Sequence, residues 1–250
     1  MVEAAIDIYA DAFVAPRRHE LASAPVVQIA SGVRGVAVIR LLVIDDSGFD
    51  RLVAEIGGPW RGVVLAFEQA SRCNELLRGQ PGWSASHPEM AMVLRDVQAV
   101  TGAALPDGLD LRPVNRAAPE APDAVPLKDA AAVAVASDPS ITDSADEVAR
   151  FLSRLPPSVR LFAAVDDAGV AHATSACHVF GEYAQVFFVS TEPAWRRRGI
   201  GRAMTLGALR AAASLGARRA LLHATQDGAS IYKSLGFEDV GLLTRYSRAD

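Results

Sequence analysis

The sequence is poor in the residues that mark several common protein classes. Two of its 250 residues are cysteines, Cys73 and Cys177, about a hundred positions apart. That spacing excludes a CxxC metal ribbon and a disulfide framework, and no metal site is expected. Lysine is as scarce, with Lys128 and Lys233 alone among 25 basic residues. Nor is there an excess of positive charge. The chain carries 29 acidic residues against those 25, a net −4, and residues 1–112 hold ten basic and fourteen acidic groups. A nucleic-acid binder needs a cationic face, so no nucleic-acid partner is expected. No apolar run approaches the 18 or so residues of a spanning helix, which argues against a membrane partner. The opening Met1-Val-Glu-Ala-Ala-Ile-Asp7 lacks the basic and apolar regions of a signal peptide, so a cytoplasmic location is expected. What the chain does have is core-forming material, with 50% hydrophobic residues against 22% charged ones. The length suits one large domain or two small ones.

A proline-rich stretch from Thr101 to Pro126, with Pro106, Pro113, Pro119, Pro122 and Pro126, is expected to be a linker or surface crossing. It divides residues 1–105 from 106–250, with a short strand at Leu109–Val114 inside it. Downstream, helices are expected at Leu127–Ala136 and Asp143–Leu155, the second capped by Asp143 or Ser144 and ended by Pro156-Pro157. Strands follow at Arg160–Asp166, Ala171–Phe180 and Tyr183–Ser190, then a helix from Gly199 to Leu215 closed by Gly216. A strand at Arg219–Ala224, a short helix at Gly228–Leu235 and a strand at Leu242–Tyr246 complete the chain. Upstream, strands are expected at Val26–Ala30, Gly35–Ile44, Gly62–Phe67 and Met90–Val97. Helices are expected at Phe49–Ile56 and Gln69–Arg78. Met90, Met92 and Leu94 alternate as one core face would. The fold class is α+β, a mixed and mostly antiparallel sheet flanked by helices, preceded by a smaller α/β domain.

Chemistry concentrates in Val189-Ser-Thr-Glu-Pro-Ala-Trp-Arg196-Arg197-Arg198-Gly199-Ile200-Gly201-Arg202. A strand runs into an arginine–glycine loop that opens a helix. The amides at a helix N-terminus point outward unpaired, with the positive end of the macrodipole behind them. Glycines at 199 and 201 let a pyrophosphate approach the backbone, so the segment is an anion cradle. It is neither a dinucleotide fingerprint, because Met204 holds the sixth position and Ala220 the place of the ribose acid, nor a Walker loop, because Gly-Lys-Ser/Thr is absent.

The R-x-x-G-x-G of Arg196–Gly201, after a strand ending Val-Ser-Thr and about thirty residues before Tyr232-Lys-Ser-Leu-Gly-Phe237, resembles the GCN5-related N-acetyltransferase (GNAT) superfamily over roughly Leu109 to Arg248. The resemblance implies a GNAT fold and an enzyme moving an acetyl group from acetyl-CoA to an amine, on a small molecule or a peptide. It also leaves a homodimer open. It implies that Val189, Ser190 and Thr191 pair with the pantetheine arm and that Arg196, Arg197, Arg198, Gly199, Ile200, Gly201 and Arg202 hold the pyrophosphate. Tyr232 would protonate the departing thiolate. Two positions depart from the pattern. Thr225 stands where many relatives carry asparagine, and Ala220 where several carry a glutamate base. The expected base is therefore Glu182, with His172 and His178 as alternatives, two histidines whose six-residue spacing predicts a shared strand face. A sensor that binds acyl-CoA without turnover is the reading from a different class, and a larger acyl group is a third.

Each residue also has a plainer role open to it. Gly199 and Gly201 suit an ordinary strand-to-helix turn, Tyr232 a core tyrosine, and Arg196–Arg198 a solvated charge run. Trp60, Trp83 and Trp195 suit anchors, and Cys177 a small buried hydrophobe. Residues 1–105 are expected to be a degenerate GNAT-like half that binds no CoA. Glu75–Trp83 echoes Tyr232–Phe237, and the junction Ile44-Asp-Asp-Ser-Gly-Phe49 puts carboxylates where a cradle would lie.

Overall fold

The computed structural model describes residues 26–33, 36–43, 46–50, 53, 61–102, 105–116, 123–139, 141, 143–155 and 158–248. In chain order these form strands β1 (Val26–Val33), β2 (Val36–Val43) and β3 (Arg61–Phe67), helix α1 (Ser71–Gly79), and strands β4 (Trp83–Ala85), β5 (Glu89–Leu94), β6 (Asp110–Asn115) and β7 (Val125–Pro126). Helices α2 (Leu127–Ser137) and α3 (Ala145–Ser153) precede strands β8 (Val159–Val165), β9 (Ala171–Phe180) and β10 (Tyr183–Thr191). Helix α4 (Ile200–Ser214), strand β11 (Arg219–Ala224), helix α5 (Ala229–Lys233) and strand β12 (Glu238–Arg248) follow. The mixed α+β class is the one the patterning predicts, while β4 and β7 are strands it does not.

The chain divides into two compact units. One comprises Met1–Val93, His223–Ser230 and Glu238–Asp250, the other Leu94–Leu222 and Ile231–Phe237. The division differs from the 105/106 boundary expected from the prolines, for two reasons. β12 pairs antiparallel with β3 from Leu243↔Phe67 to Arg248↔Gly62, which puts the last strand in the first unit. The proline-rich stretch is partly sheet, since β6 pairs antiparallel with β8 from Asp110↔Val165 to Pro113↔Phe162.

In the second unit the strands lie in the order β11-β10-β9-β8-β6, with β7 beside β6. Alternation along β8 sends Leu161, Ala163 and Val165 to a core with α2 and α3, and Ala164 to a core with Ile200 and Met204 of α4. The helices end as their residues dictate. Ser144, not Asp143, caps α3 in a reciprocal box with Glu147. Gly216, at φ 94°, closes α4.

In the first unit, Val64, Ala66, Cys73, Leu77 and Tyr246 form the core, with Trp83 packed against it. Buried Asn74 is fully used there. Its amide donates to the Phe67 and Ala70 carbonyls at 2.8 Å each, and its Oδ1 accepts from the Tyr246 hydroxyl at 2.7 Å. β5 corrects one expectation, because Ala91, Met92, Val93 and Leu94 are all buried and no single core face exists there. The helix expected at Phe49–Ile56 is described only at Phe49, Asp50 and Val53. Trp60 and Pro156-Pro157 lie outside the described residues.

Candidate active site

β10 carries the geometry on which the site depends. It pairs with β9 regularly from Tyr183↔Phe180 to Phe187↔Ala176, then slips by one residue so that Ser190 faces Thr174. The extra residue falls at Phe188–Val189, where Phe188 takes φ 56°. A bulky side chain in the left-handed region costs about 1–2 kcal/mol, and the Thr174 hydroxyl donating to the Phe188 carbonyl at 3.0 Å helps hold it there. A bulge of this kind bends and twists its strand. On the opposite edge, β10 pairs in parallel with β11 through only three residue pairs, Tyr183↔Arg219, Ala184↔Ala220 and Gln185↔Leu221. The two strands then part. Val189, Ser190 and Thr191 lie on the unzipped length.

The loop after β10 turns sharply. Arg197 stands at φ 65° and Gly199 at φ 79°, the latter as the N-cap of α4 with no side chain capping the helix. The first intrahelical bond runs from the Ala203 amide to the Gly199 carbonyl at 3.0 Å. The amides of Ile200, Gly201 and Arg202 therefore precede the ladder and face outward at the positive end of the helix dipole. A Cβ placed on Gly201 would lie 3.7 Å from Ile231 Cδ1 and 3.8 Å from Thr191 Oγ1. The end of β10, the start of α4 and α5 thus converge on that glycine.

The four arginines do different work. Arg196 braces the loop, its Nε donating to the Thr191 carbonyl at 3.0 Å and its Nη2 to the Ser137 carbonyl at 2.5 Å. Arg202 lies against Gly102. Arg197 is exposed, and Arg198 lies over the Trp195 ring with 4.9 Å from guanidinium carbon to centroid.

His172 is buried on β9. Its Nδ1 lies 2.7 Å from Glu192 Oε2 and its Nε2 3.0 Å from Asp166 Oδ2, while Trp195 stacks on the ring at 4.0 Å. Burial disfavours its charge, but the hydrogen bonds with Glu192 and Asp166 outweigh burial and hold the imidazole pKa above its usual value. The pairing of β8 with β9 slips between Ala164↔Ala173 and Val165↔Ala171, leaving His172 as an extra residue. That bulge breaks strict alternation, so the six-residue spacing to His178 does not put the two rings on one face. His178 packs instead against Phe180, with centroids 5.3 Å apart.

Tyr232 is half-buried on α5, edge-on to Phe237, and burial pushes its phenol up to about 12. Thr225 is exposed, and its hydroxyl accepts from the Gly228 amide at 3.2 Å in the turn before α5. The structure does not bring Glu182 to the loop. Glu182 begins the β9–β10 turn's exit and pairs with Arg219 at 3.3 Å. It stands nine residues before Thr191, about 30 Å along an extended strand. Strand alternation reveals neither of the two bulges, and so the sequence pattern conceals the His172 cluster.

The site is thus a bulged strand that parts from its parallel neighbour and runs into an uncapped arginine–glycine helix start. Residues 157–239, about a third of the chain, match the family model described as acetyltransferase (GNAT) domain. No curated protein matches the chain. Among solved structures, a GCN5-related N-acetyltransferase from Kribbella flavida is 18% identical at a TM-score of 0.59, over 98% of this chain and 96% of that one. One from Sphaerobacter thermophilus is 16% identical at 0.58, over 90% and 77%. A protein described as a tandem GNAT protein from the clavulanic acid biosynthesis pathway is 15% identical at 0.53, over 89% and 78%. These likenesses show the GNAT fold.

Proposed function

We propose that the second unit is an acetyl-CoA-dependent N-acetyltransferase that moves the acetyl group to a primary amine by direct attack in a ternary complex. The observation that carries this reading is the parting of β10 from β11 after three residue pairs, at the strand that leads into Gly201. An amide-bearing arm fits an unzipped strand edge, where it gains main-chain hydrogen bonds as an added strand does. Val189, Ser190 and Thr191 would supply those bonds. The amides of residues 197–202 would hold a pyrophosphate, and Gly201 leaves the space that a side chain would fill.

Bound acetyl-CoA supplies the thioester and a thiol leaving group with a pKa near 8.5. Tyr232 keeps its proton at neutral pH, since burial pushes its phenol up to about 12, and would be the donor through Oη. Thr225 offers a single hydroxyl where an asparagine would offer more. Glu182 pairs with Arg219, and His172 lies between two carboxylates. An acceptor that needs little help suits this site best. A lysine-type amine near pKa 10.4 is less than about 0.1% neutral at pH 7, whereas an α-amine near 7.7–8.0 is about ten per cent neutral. Positioning then accounts for most of the catalysis.

The first unit supports a structural part in this reading, as a degenerate GNAT-like half. Its β1–β2 hairpin is antiparallel and β2 pairs in parallel with β3, the arrangement of β9, β10 and β11. Two differences argue against a second cofactor site. β2 and β3 stay zipped through six residue pairs, from Val38↔Arg61 to Val43↔Ala66. Asp46, at the junction where a cradle would lie, instead accepts from the amides of Arg72 and Cys73 at 3.2 and 3.1 Å. The tandem GNAT relative is consistent with two such halves in one chain.

The test is thiol release from acetyl-CoA across a panel of amines, alongside calorimetric binding. Amine-dependent release with an acetylated product supports the enzyme. Binding with no release for any amine would favour the sensor, which the Thr225 and Ala220 departures motivate.

A further inference from the structure

We propose that His172 is a positioning residue for the anion loop, held as an imidazolium between Glu192 and Asp166 so that Trp195 stacks on it and Arg198 on Trp195, and that phosphate binding at the loop weakens as His172 loses its proton. This rests on the reading that residues 197–202 hold the phosphates of acetyl-CoA.

The geometry requires the charged ring. Both imidazole nitrogens face a carboxylate oxygen, Nδ1 at 2.7 Å from Glu192 and Nε2 at 3.0 Å from Asp166. A neutral imidazole has one N–H, so one of these contacts would set lone pair against lone pair. Asp166 cannot simply turn away. Its Oδ1 accepts from the Ala168 and Val170 amides at 3.0 and 2.9 Å, which anchors it in the β8–β9 turn. Glu192 is anchored too, its amide donating to the His172 carbonyl at 2.9 Å. The ring therefore ties a fixed turn to the first residue of the loop.

Above the ring the cluster continues into the loop. Trp195 lies parallel to His172 within 18°, and the Arg198 guanidinium lies on Trp195. An indole between two cations is attracted to both. Trp195 also packs on an apolar cluster that includes Ile200 and Met204 from α4 and Ala164 and Ala173 from the sheet. Arg196, on the same loop, is occupied by the Thr191 and Ser137 carbonyls. Among the described residues, the charged groups bonded to the ring are Asp166 and Glu192, with Arg198 acting through the indole. Loss of the His172 proton takes this carboxylate–imidazolium–carboxylate set from one net negative charge to two, at the entrance of an anion site. It also removes one of the ring's two hydrogen bonds, to Glu192 or to Asp166.

The direction with pH follows. The ring's folded pKa lies above its unfolded value, so the clamp is complete at low pH and is lost as pH rises through the folded pKa. Ligand ionisation does not mimic this, because a phosphate monoester with a second pKa near 6 gains negative charge as pH rises, which favours binding at the loop, and arginine stays charged.

The experiment uses the full chain. Histidine ring NMR, assigned with His172→Gln, follows the His172 nitrogens from about pH 6 to about pH 10, and calorimetry measures acetyl-CoA affinity over the same range. The expected result is two protonated nitrogens at pH 7 and an affinity that falls about tenfold in step with the ring's titration. His172→Gln should bind more weakly at pH 7 and show no such fall. Glu192→Gln, which keeps an acceptor but removes a charge, should move the fall to lower pH and serves if the first variant fails to fold. An unprotonated ring nitrogen at pH 7, or the same pH dependence in wild type and both variants, would overturn the proposal. No acetyl-CoA binding by the wild type at any pH would overturn the cofactor reading beneath it, a failure distinguishable from binding that is merely flat with pH.

Discussion

Gly201→Val is the substitution whose consequence the structure defines most closely. Gly201 sits at the second position of α4 with no positive φ to forbid a side chain, and its added Cβ would make only ordinary contacts, 3.7 Å to Ile231 and 3.8 Å to Thr191. Valine is also a better helix former than glycine by a few tenths of a kcal/mol. The variant should therefore fold and melt like the wild type. What it changes is the space in front of the amides, which a phosphate oxygen must enter to within about 2.7–2.9 Å. A hydrogen bond to a charged group contributes about 1.5–3 kcal/mol, so losing one such bond costs tenfold or more in affinity and losing two about 150-fold. Isothermal titration with acetyl-CoA, beside a thermal melt of each protein, reads both quantities. An unchanged affinity in a variant with an unchanged melt would refute the cradle.

Three further outcomes are expected. Tyr232→Phe should lower kcat by roughly 10²–10⁴-fold with little change in acetyl-CoA affinity; because the phenol sits at about 12, a wild-type kcat profile should show no alkaline decline from Tyr232 below about pH 11. Cys73 and Cys177 are both fully buried and burial pushes the Cys177 thiol up to about 11, so the native protein should resist a thiol reagent at neutral pH and react with two equivalents once unfolded. Tyr246→Phe leaves buried Asn74 Oδ1 without its donor and should destabilise the chain by about 1–3 kcal/mol in urea denaturation; a loss below about 0.5 kcal/mol would mean that water takes the hydroxyl's place.

Local patterns made the second half of the chain legible. β9 and β11 begin and end at the residues where β-branched and apolar runs meet turn residues, Ala171–Phe180 and Arg219–Ala224. The cradle is equally local, since glycines, arginines and a helix start lie within seven residues from Arg196 to Arg202. What the pattern hid is long-range or subtle by one residue. A single extra residue in β10 and another in β9 leave the composition of each strand intact while changing which way side chains point, so neither Phe188 nor His172 announces itself. Glu182 fails as a neighbour of the loop for a similar reason. It is close in sequence to the strand that matters, but nine residues of extended chain carry it to the far end. The assignment of β12 to the first unit rests on pairing with β3 across most of the chain, a register that no local window contains.

The central claim is that acetyl-CoA lies along the open edge of β10 and on the amides of the loop. Amide hydrogen exchange of the full chain, with and without acetyl-CoA, tests it most directly, because those backbone groups gain partners only when the ligand is bound. Slowed exchange is predicted at Val189–Thr191 and across residues 197–202, with none at Val36–Val43, where β2 is already zipped to β3. Unchanged exchange at β10 and the loop in a protein saturated with acetyl-CoA would contradict the account.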